Sequence, residues 1–177
     1  MAINKDTIVE IVKNIAPDVE IYEHRDQLSL IIQRENLIEV ANELKNNPDT
    51  SFEMLVDVSA IDWLKQRPHR FEVVYFLYSL KYADRLRLKV PVTEKDIHIP
   101  SVVEIWKSAD WYERETYDMY GVIFDGHPDL RRFYMPEDYV DPETGEPIYP
   151  LRKDFPLMGV PETLPLPPYP EKYGDLQ

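Results

Sequence analysis

Apolar side chains recur along the first 120 residues with two different periods. Ile8, Ile11, Val12 and Ile15 fall on one face of a helix, and Thr7 and Glu10 have the spacing of a capping box at its start. Leu37, Ile38, Ala41 and Leu44 repeat that stripe behind Asn36, a capping residue followed three positions later by Glu39. Between the two helices, Val19–His24 and Leu28–Gln33 read as a hairpin turning through Arg25, Asp26 and Gln27. Three longer strands follow, Phe52–Ala60, Phe71–Leu80 and Arg85–Val92. The middle one is almost continuously apolar, as a central strand buried on both faces is. The third alternates strictly, as a half-exposed strand does. Two helical segments close this body. Ser101 and Glu104 form a capping box leading into Ile105 and Trp106, and Asp110 and Glu113 form another, opening a helix to about Tyr120. The pattern predicts an α+β fold: a two-layer sandwich of a mixed sheet with helices on one face.

Glycine and proline divide the chain. All five glycines and eleven of the sixteen prolines lie from Gly121 onward. Regular elements exclude both residues from their interiors, so residues 1–120 read as the folded body and 121–177 as a long irregular extension. Gly121 stands where a left-handed residue ends the last helix. The extension is rich in aromatics (Phe124, Phe133, Tyr134, Tyr139, Tyr149, Phe155, Tyr169, Tyr173) and too apolar for ordinary disorder. It is also too broken for a core of its own, so it must bury against its own body or against another subunit. Leu164–Pro170 has the composition of stiff polyproline-like backbone.

Charge narrows the functional classes. The net charge is −13, from 20 basic and 33 acidic residues, which repels nucleic acid and anionic lipid. Cysteine is absent, which excludes disulfides, thiol chemistry and thiolate-held clusters in this chain. No apolar run approaches the ~18 residues needed to span a bilayer. Met1–Glu10 does not resemble a secretory signal, and the cytoplasm is the expected compartment.

Three clusters are candidates for chemistry. Glu113, Arg114, Glu115 and Asp118 share one helical segment, with Arg114 and Asp118 one turn apart. They could form a carboxylate pair for acid–base work or metal binding, although no histidine stands at helical spacing to complete a metal set. An intrahelical ion-pair set that also faces a partner is the commoner arrangement. His127, between Gly126 and Pro128, has no neighbouring nucleophile and is better suited to anchoring its loop through backbone hydrogen bonds than to catalysis. The basic pairs Arg131-Arg132 and Arg152-Lys153 lack any glycine-rich phosphate loop, so carboxylates are their natural partners.

The segments Glu113–Gly121, Gly126–Arg132 and Pro150–Pro156 together resemble the signature of one family, in its order. It is the C subunit, or 30-kDa type, of complex I, the respiratory NADH:quinone oxidoreductase. One departure is an inserted turn at 140–149, with Tyr149 where a histidine is usual. The resemblance implies a non-redox structural subunit of the peripheral arm, on the cytoplasmic side of the membrane and touching the bilayer only through the complex. It implies partners of the D, B and I types, with iron–sulfur clusters, flavin and quinone on those and other subunits and no cofactor here. It assigns Glu113, Arg114, Glu115, Asp118, Gly121, His127, Asp129, Arg131, Arg132, Arg152, Lys153 and Asp154 to the partner-binding motif.

Overall fold

The structure is a computed structural model that describes residues 3–156. The aromatic and proline-rich stretch from Leu157, including Leu164–Pro170, lies outside the described residues.

The body begins with α1 (Lys5–Ile15). Its cap is Asn4, whose side chain accepts from Asp6 N–H at 3.0 Å, one turn before the capping box expected at Thr7. The earlier oxygen is available because Asn4 is extended while Thr7 is already helical. The hairpin β1 (Glu20–His24) and β2 (Gln27–Ile31) turns through Arg25 and Asp26, both in the left-handed region at φ 50° and 61°. Two such residues make the tight turn whose twist matches the strands. A short 3-10 turn, Arg34–Asn36, then feeds α2 (Leu37–Asn46), so Asn36 is itself turned and makes no side-chain cap.

Strands β3 (Met54–Asp62), β4 (Phe71–Ser79) and β5 (Asp84–Val92) complete a five-stranded mixed sheet in the order β1-β2-β5-β4-β3. All pairs are antiparallel except β2 with β5. β3 starts later than expected because Phe52 O is taken by Trp106 Nε1 at 3.1 Å and a bulge follows Leu55. Ile8 and Val12 of α1 and Leu37, Val40, Ala41 and Leu44 of α2 join the inward residues of the sheet in one core. Leu30, Leu88, Val73 and Tyr75 meet them there, all fully buried.

The remaining elements were less legible. Ser101–Trp106 forms a turn, not the expected helix, because Ser101 Oγ donates to Glu113 and Val102 N–H donates to the same carboxylate. α3 spans Ala109–Tyr120, starting one residue before Asp110, with no side-chain cap. Two short strands, β6 (His98–Pro100) and β7 (Ile123–Asp125), pair in parallel on either side of it in sequence. α3 runs along the free edge of β3. Thr116 Oγ1 donates to Val58 O at 3.0 Å and Ser108 Oγ to Leu55 O at 3.1 Å. Side-chain hydroxyls thereby close an edge that would otherwise offer its carbonyls to another strand.

Candidate partner-binding site

Residues 121–156 fold back onto α3, and the family-type motifs meet around its second half. Asp118 is fully buried and is the hub. Its Oδ2 accepts from the N–H groups of Phe133, Tyr134 and Met135 at 3.2, 2.8 and 2.9 Å, and its Oδ1 lies 3.5 Å from Arg132 Nη1. A carboxylate can hold a turn this way because it only accepts, and three converging N–H groups only donate. Arg132 also donates twice to Ile148 O at 3.0 Å.

The C-terminal end of α3 is closed by the third motif. Its last carbonyls have no helical partners. Gly121 N–H bonds Tyr117 O at 2.8 Å, Leu151 N–H bonds Met119 O at 3.2 Å, and Arg152 Nε bonds Tyr120 O at 2.7 Å. Tyr149 lies between two guanidinium groups, 5.1 Å from that of Arg132 and 4.2 Å from that of Arg152. The insertion before it closes on itself through the Val140–Pro147 bridge and the Asp141 carboxylate, which accepts from Glu143 and Thr144 N–H. Further along, Lys153 N–H donates to Asp62 Oδ2 at 2.9 Å, and Asp154 pairs with Arg70 at 2.7 Å. Arg70 also holds Asp62 at 3.2 Å and reaches Glu94. Burial pushes the Asp62 carboxyl up, but Arg70 and the N–H groups of Lys153 and Leu64 outweigh it and hold it below the ordinary value.

Glu113 faces the other way. It is fully buried, accepts from Ser101 Oγ at 2.6 Å and Val102 N–H at 2.7 Å, and fixes the turn before α3. Burial raises its carboxyl from 4.5 to about 7, only partly opposed by those bonds, with the Asp110 charge adding to the rise. His127 has a fully buried side chain. Its Nδ1 accepts from Asp129 N–H at 3.1 Å, which places the ring proton on Nε2, 3.1 Å from Asp110 O and 3.2 Å from its carboxylate. The histidine is thus a loop anchor.

The expected intrahelical pair of Arg114 with Asp118 does not form. Asp118 is taken by the 132–135 turn, and Arg114 instead lies flat between two rings, 4.9 Å from Trp111 and 5.4 Å from Phe133. Those rings meet edge to face at 5.7 Å, and Tyr134 packs on Phe133 at 4.1 Å. Trp111 and Tyr134 are 58% and 61% exposed, and Leu151 is 51% exposed. The basic pairs are also more varied than expected. Arg131 pairs with Asp129 at the surface at 2.9 Å and Arg132 approaches Asp118, but Arg152 meets aromatic rings and a carbonyl. Glu115 is half-buried, its carboxyl raised by burial and then by Asp57. Glu115 and Asp118 therefore engage separate sets of neighbours, while Glu113 and His127 both face Asp110. Ser101, Asp62, Arg70 and Trp111 belong to the same architecture; no local pattern marked Asp62 or Arg70, and the one at Ser101 read it as a helix cap instead. Trp111, an indole inside a helix-start segment, was the one visible signal.

Among the described residues, no group of three or more histidines and carboxylates stands close enough to hold a metal ion. No described helix is long and apolar enough to cross a membrane.

The fold is that of a small α+β domain whose last helix is strapped by the returning chain. Residues 30–161 match the family described as the respiratory-chain NADH dehydrogenase 30 Kd subunit, and the chain belongs to that family. It is 40% identical over 160 residues to the NADH-quinone oxidoreductase C subunit of Geotalea uraniireducens, covering 90% of this chain and 92% of that one. Against the corresponding C subunit of Saccharopolyspora erythraea it is 42% identical over 137 residues but spans 52% of that protein's length. Among solved structures it is similar to the trypsin-resistant fragment of Nqo5, with a TM-score of 0.61 and 34% identity, covering 71% of this chain and 98% of the fragment. It is also similar to a chain of the archaeal membrane-bound sulfane sulfur reductase, with a TM-score of 0.65, 27% identity and 86% of each chain covered. The chain is thus of the 30-kDa subunit type, like the NADH-quinone oxidoreductase C subunits it is similar to.

Proposed function

We propose that this chain is a non-redox structural subunit in the peripheral arm of a proton-translocating NADH:quinone oxidoreductase. It clamps the subunits that form the quinone site and hold the terminal iron–sulfur cluster, of the D, B and I types. It works on the cytoplasmic side of the cell membrane and supplies no catalytic residue. One observation carries the reading. Trp111 and Tyr134 form an exposed aromatic surface backed by the buried Arg114 guanidinium, with residues 132–135 held in place by Asp118. Tryptophan, tyrosine and arginine are the residues that dominate protein interfaces when held rigidly. The partner-binding role extends to Gly121, Asp129, Arg131, Lys153 and Asp154, the remaining members of the family-type motifs.

Identity favours the NADH-linked form over a relative of the sulfane sulfur reductase, at 40% against 27%. A free-standing acid–base enzyme gains nothing from the geometry: the grooves on the sheet and beside Arg67 are lined by none of Glu113, Glu115, Asp118 or His127.

The test replaces Trp111 and Tyr134 by alanine together and purifies the complex through another subunit. Both side chains are mostly exposed, so the isolated chain is expected to keep its fold and its circular dichroism. Recovery of the chain in the complex, and NADH:quinone turnover of membranes, are expected to fall about tenfold or more. Full recovery with full turnover would sink the proposal.

A further inference from the structure

The outer face of the sheet, opposite α1 and α2, is covered by no described helix. Strand register lays one residue from each strand in a row across it: Tyr22, Ser29, Arg87, Phe76 and Asp57. At the centre of the row, Ser29 Oγ and Arg87 Nε and Nη2 are buried and have no hydrogen-bond partner among the described residues. The next outward cation on β5, Lys89, is paired with Glu72 at 2.7 Å; Arg87 and Arg85 form no ion pair among the described residues.

Nε and Nη2 are the two guanidinium nitrogens whose N–H bonds run parallel. They form the edge that accepts a carboxylate side-on through two bonds. Beside them opens a trough of about 540 Å³ whose apolar lining includes Met54, Val56, Phe76 and Tyr78. Met54 and Val56 are 46% and 41% exposed. Arg87 is half-buried and lines both this trough and a smaller one beside Val74. Two buried guanidinium N–H groups without an acceptor among the described residues are a cost that a bound carboxylate removes.

We infer that this face is a second docking surface, which receives a segment of a neighbouring subunit presenting an aspartate or glutamate between apolar side chains. The carboxylate meets the Arg87 fork and the apolar neighbours fill the trough. The inference rests on the reading of this chain as a subunit of a larger complex.

The experiment uses the intact complex. Tyr78 is replaced by photoreactive benzoylphenylalanine, the purified complex is irradiated, and adducts are identified by mass spectrometry. The expected adduct is on another subunit, within a few residues of an Asp or Glu. Arg87→Met is expected to lower its yield ~tenfold or more, with Arg87→Lys retaining part of it. The isolated Arg87→Met chain is expected to be as thermally stable as the parent, or more so. An adduct on residues 157–177 of the same chain or on a second copy, an adduct insensitive to Arg87→Met, or no protein adduct would overturn the inference while the chain still co-purifies with its neighbours. Failure of the unmodified chain to co-purify would instead overturn the reading of it as part of a complex, and this inference with it.

Discussion

A side chain at position 121 would collide with Tyr149: a Cβ built on Gly121 stands 2.5 Å from the Tyr149 ring carbon Cζ and 2.6 Å from Arg152 Nη2. The glycine that ends α3 is therefore also the floor on which the returning tail lies. Its φ of 78° lies in the left-handed region, and a Cβ there would separately have to displace the Tyr149 ring and the Arg152 guanidinium.

Gly121→Ala is expected to destabilise the isolated chain by about 3 kcal/mol or more, from backbone strain plus displacement of Tyr149. Gly126 offers the control, since it has φ +84° but nothing within 4 Å. Gly126→Ala should cost only about 1 kcal/mol of strain. Urea midpoints of the two variants compare them. Equal losses would mean that the Tyr149 contact contributes nothing.

Asp118→Asn tests the hub. The amide NH₂ cannot accept, so part of the four-donor set is lost and Arg132 is left buried without its charge. The expected loss is about 3–5 kcal/mol, with the 132–135 turn exchanging its amide hydrogens far faster. Unchanged protection at Tyr134 and Met135 would refute the assignment.

The Glu113 carboxyl, raised to about 7 from 4.5, gives stability a particular pH dependence. The folded chain holds this proton more tightly than the unfolded chain. Stability from this group therefore rises as pH falls from about 7 toward 4.5, by at most about 1.4 kcal/mol per pH unit, and is level above 7. Glu113→Gln can keep both hydrogen bonds and should flatten that slope. Denaturation midpoints measured at intervals across this range decide it, and parallel curves for parent and variant would contradict the buried carboxylate.

Asp62 acts in the opposite sense and at the other end of the tail. Its lowered carboxyl contributes stability that is present above 3.8 and is lost as pH falls through its lower folded value. Asp62→Ala removes the acceptor of Lys153 N–H and the inner partner of Arg70. Trypsin should then cut at Arg152 and Lys153 about tenfold faster at neutral pH. An unchanged cleavage rate would show that Arg70 and Asp154 hold the strap alone.

Much of the body was readable in advance because burial imposes periodicity. The stripes of α1 and α2, the apolar run of β4 and the alternation of β5 each follow from one face meeting a core, and neighbours in sequence report it. The element ends were less readable. Asn4 caps α1 ahead of Thr7, and Ser101 points to Glu113 although its spacing to Glu104 is that of a helix start. In each case a short polar side chain had several donors or acceptors within reach, and position in three dimensions chose among them. Arg114 shows the same thing on a helix: one turn from Asp118, it stacks between Trp111 and Phe133 because residues 132–135 had already filled the carboxylate.

The α+β body, the division of glycine and proline at Gly121, the lack of cysteine and the motifs that mark the family are all written in the order of residues. Those follow from local backbone preference, composition and order along the chain. Packing in three dimensions set the rest: Asp118 gathers residues 132–135, Tyr149 sits between Arg132 and Arg152 over Gly121, and Arg87 has no ion-pair partner among the described residues. Each joins residues distant along the chain, or depends on what fails to cover a surface. Hydrogen-bond partners at that range are selected by packing geometry, which no local pattern encodes.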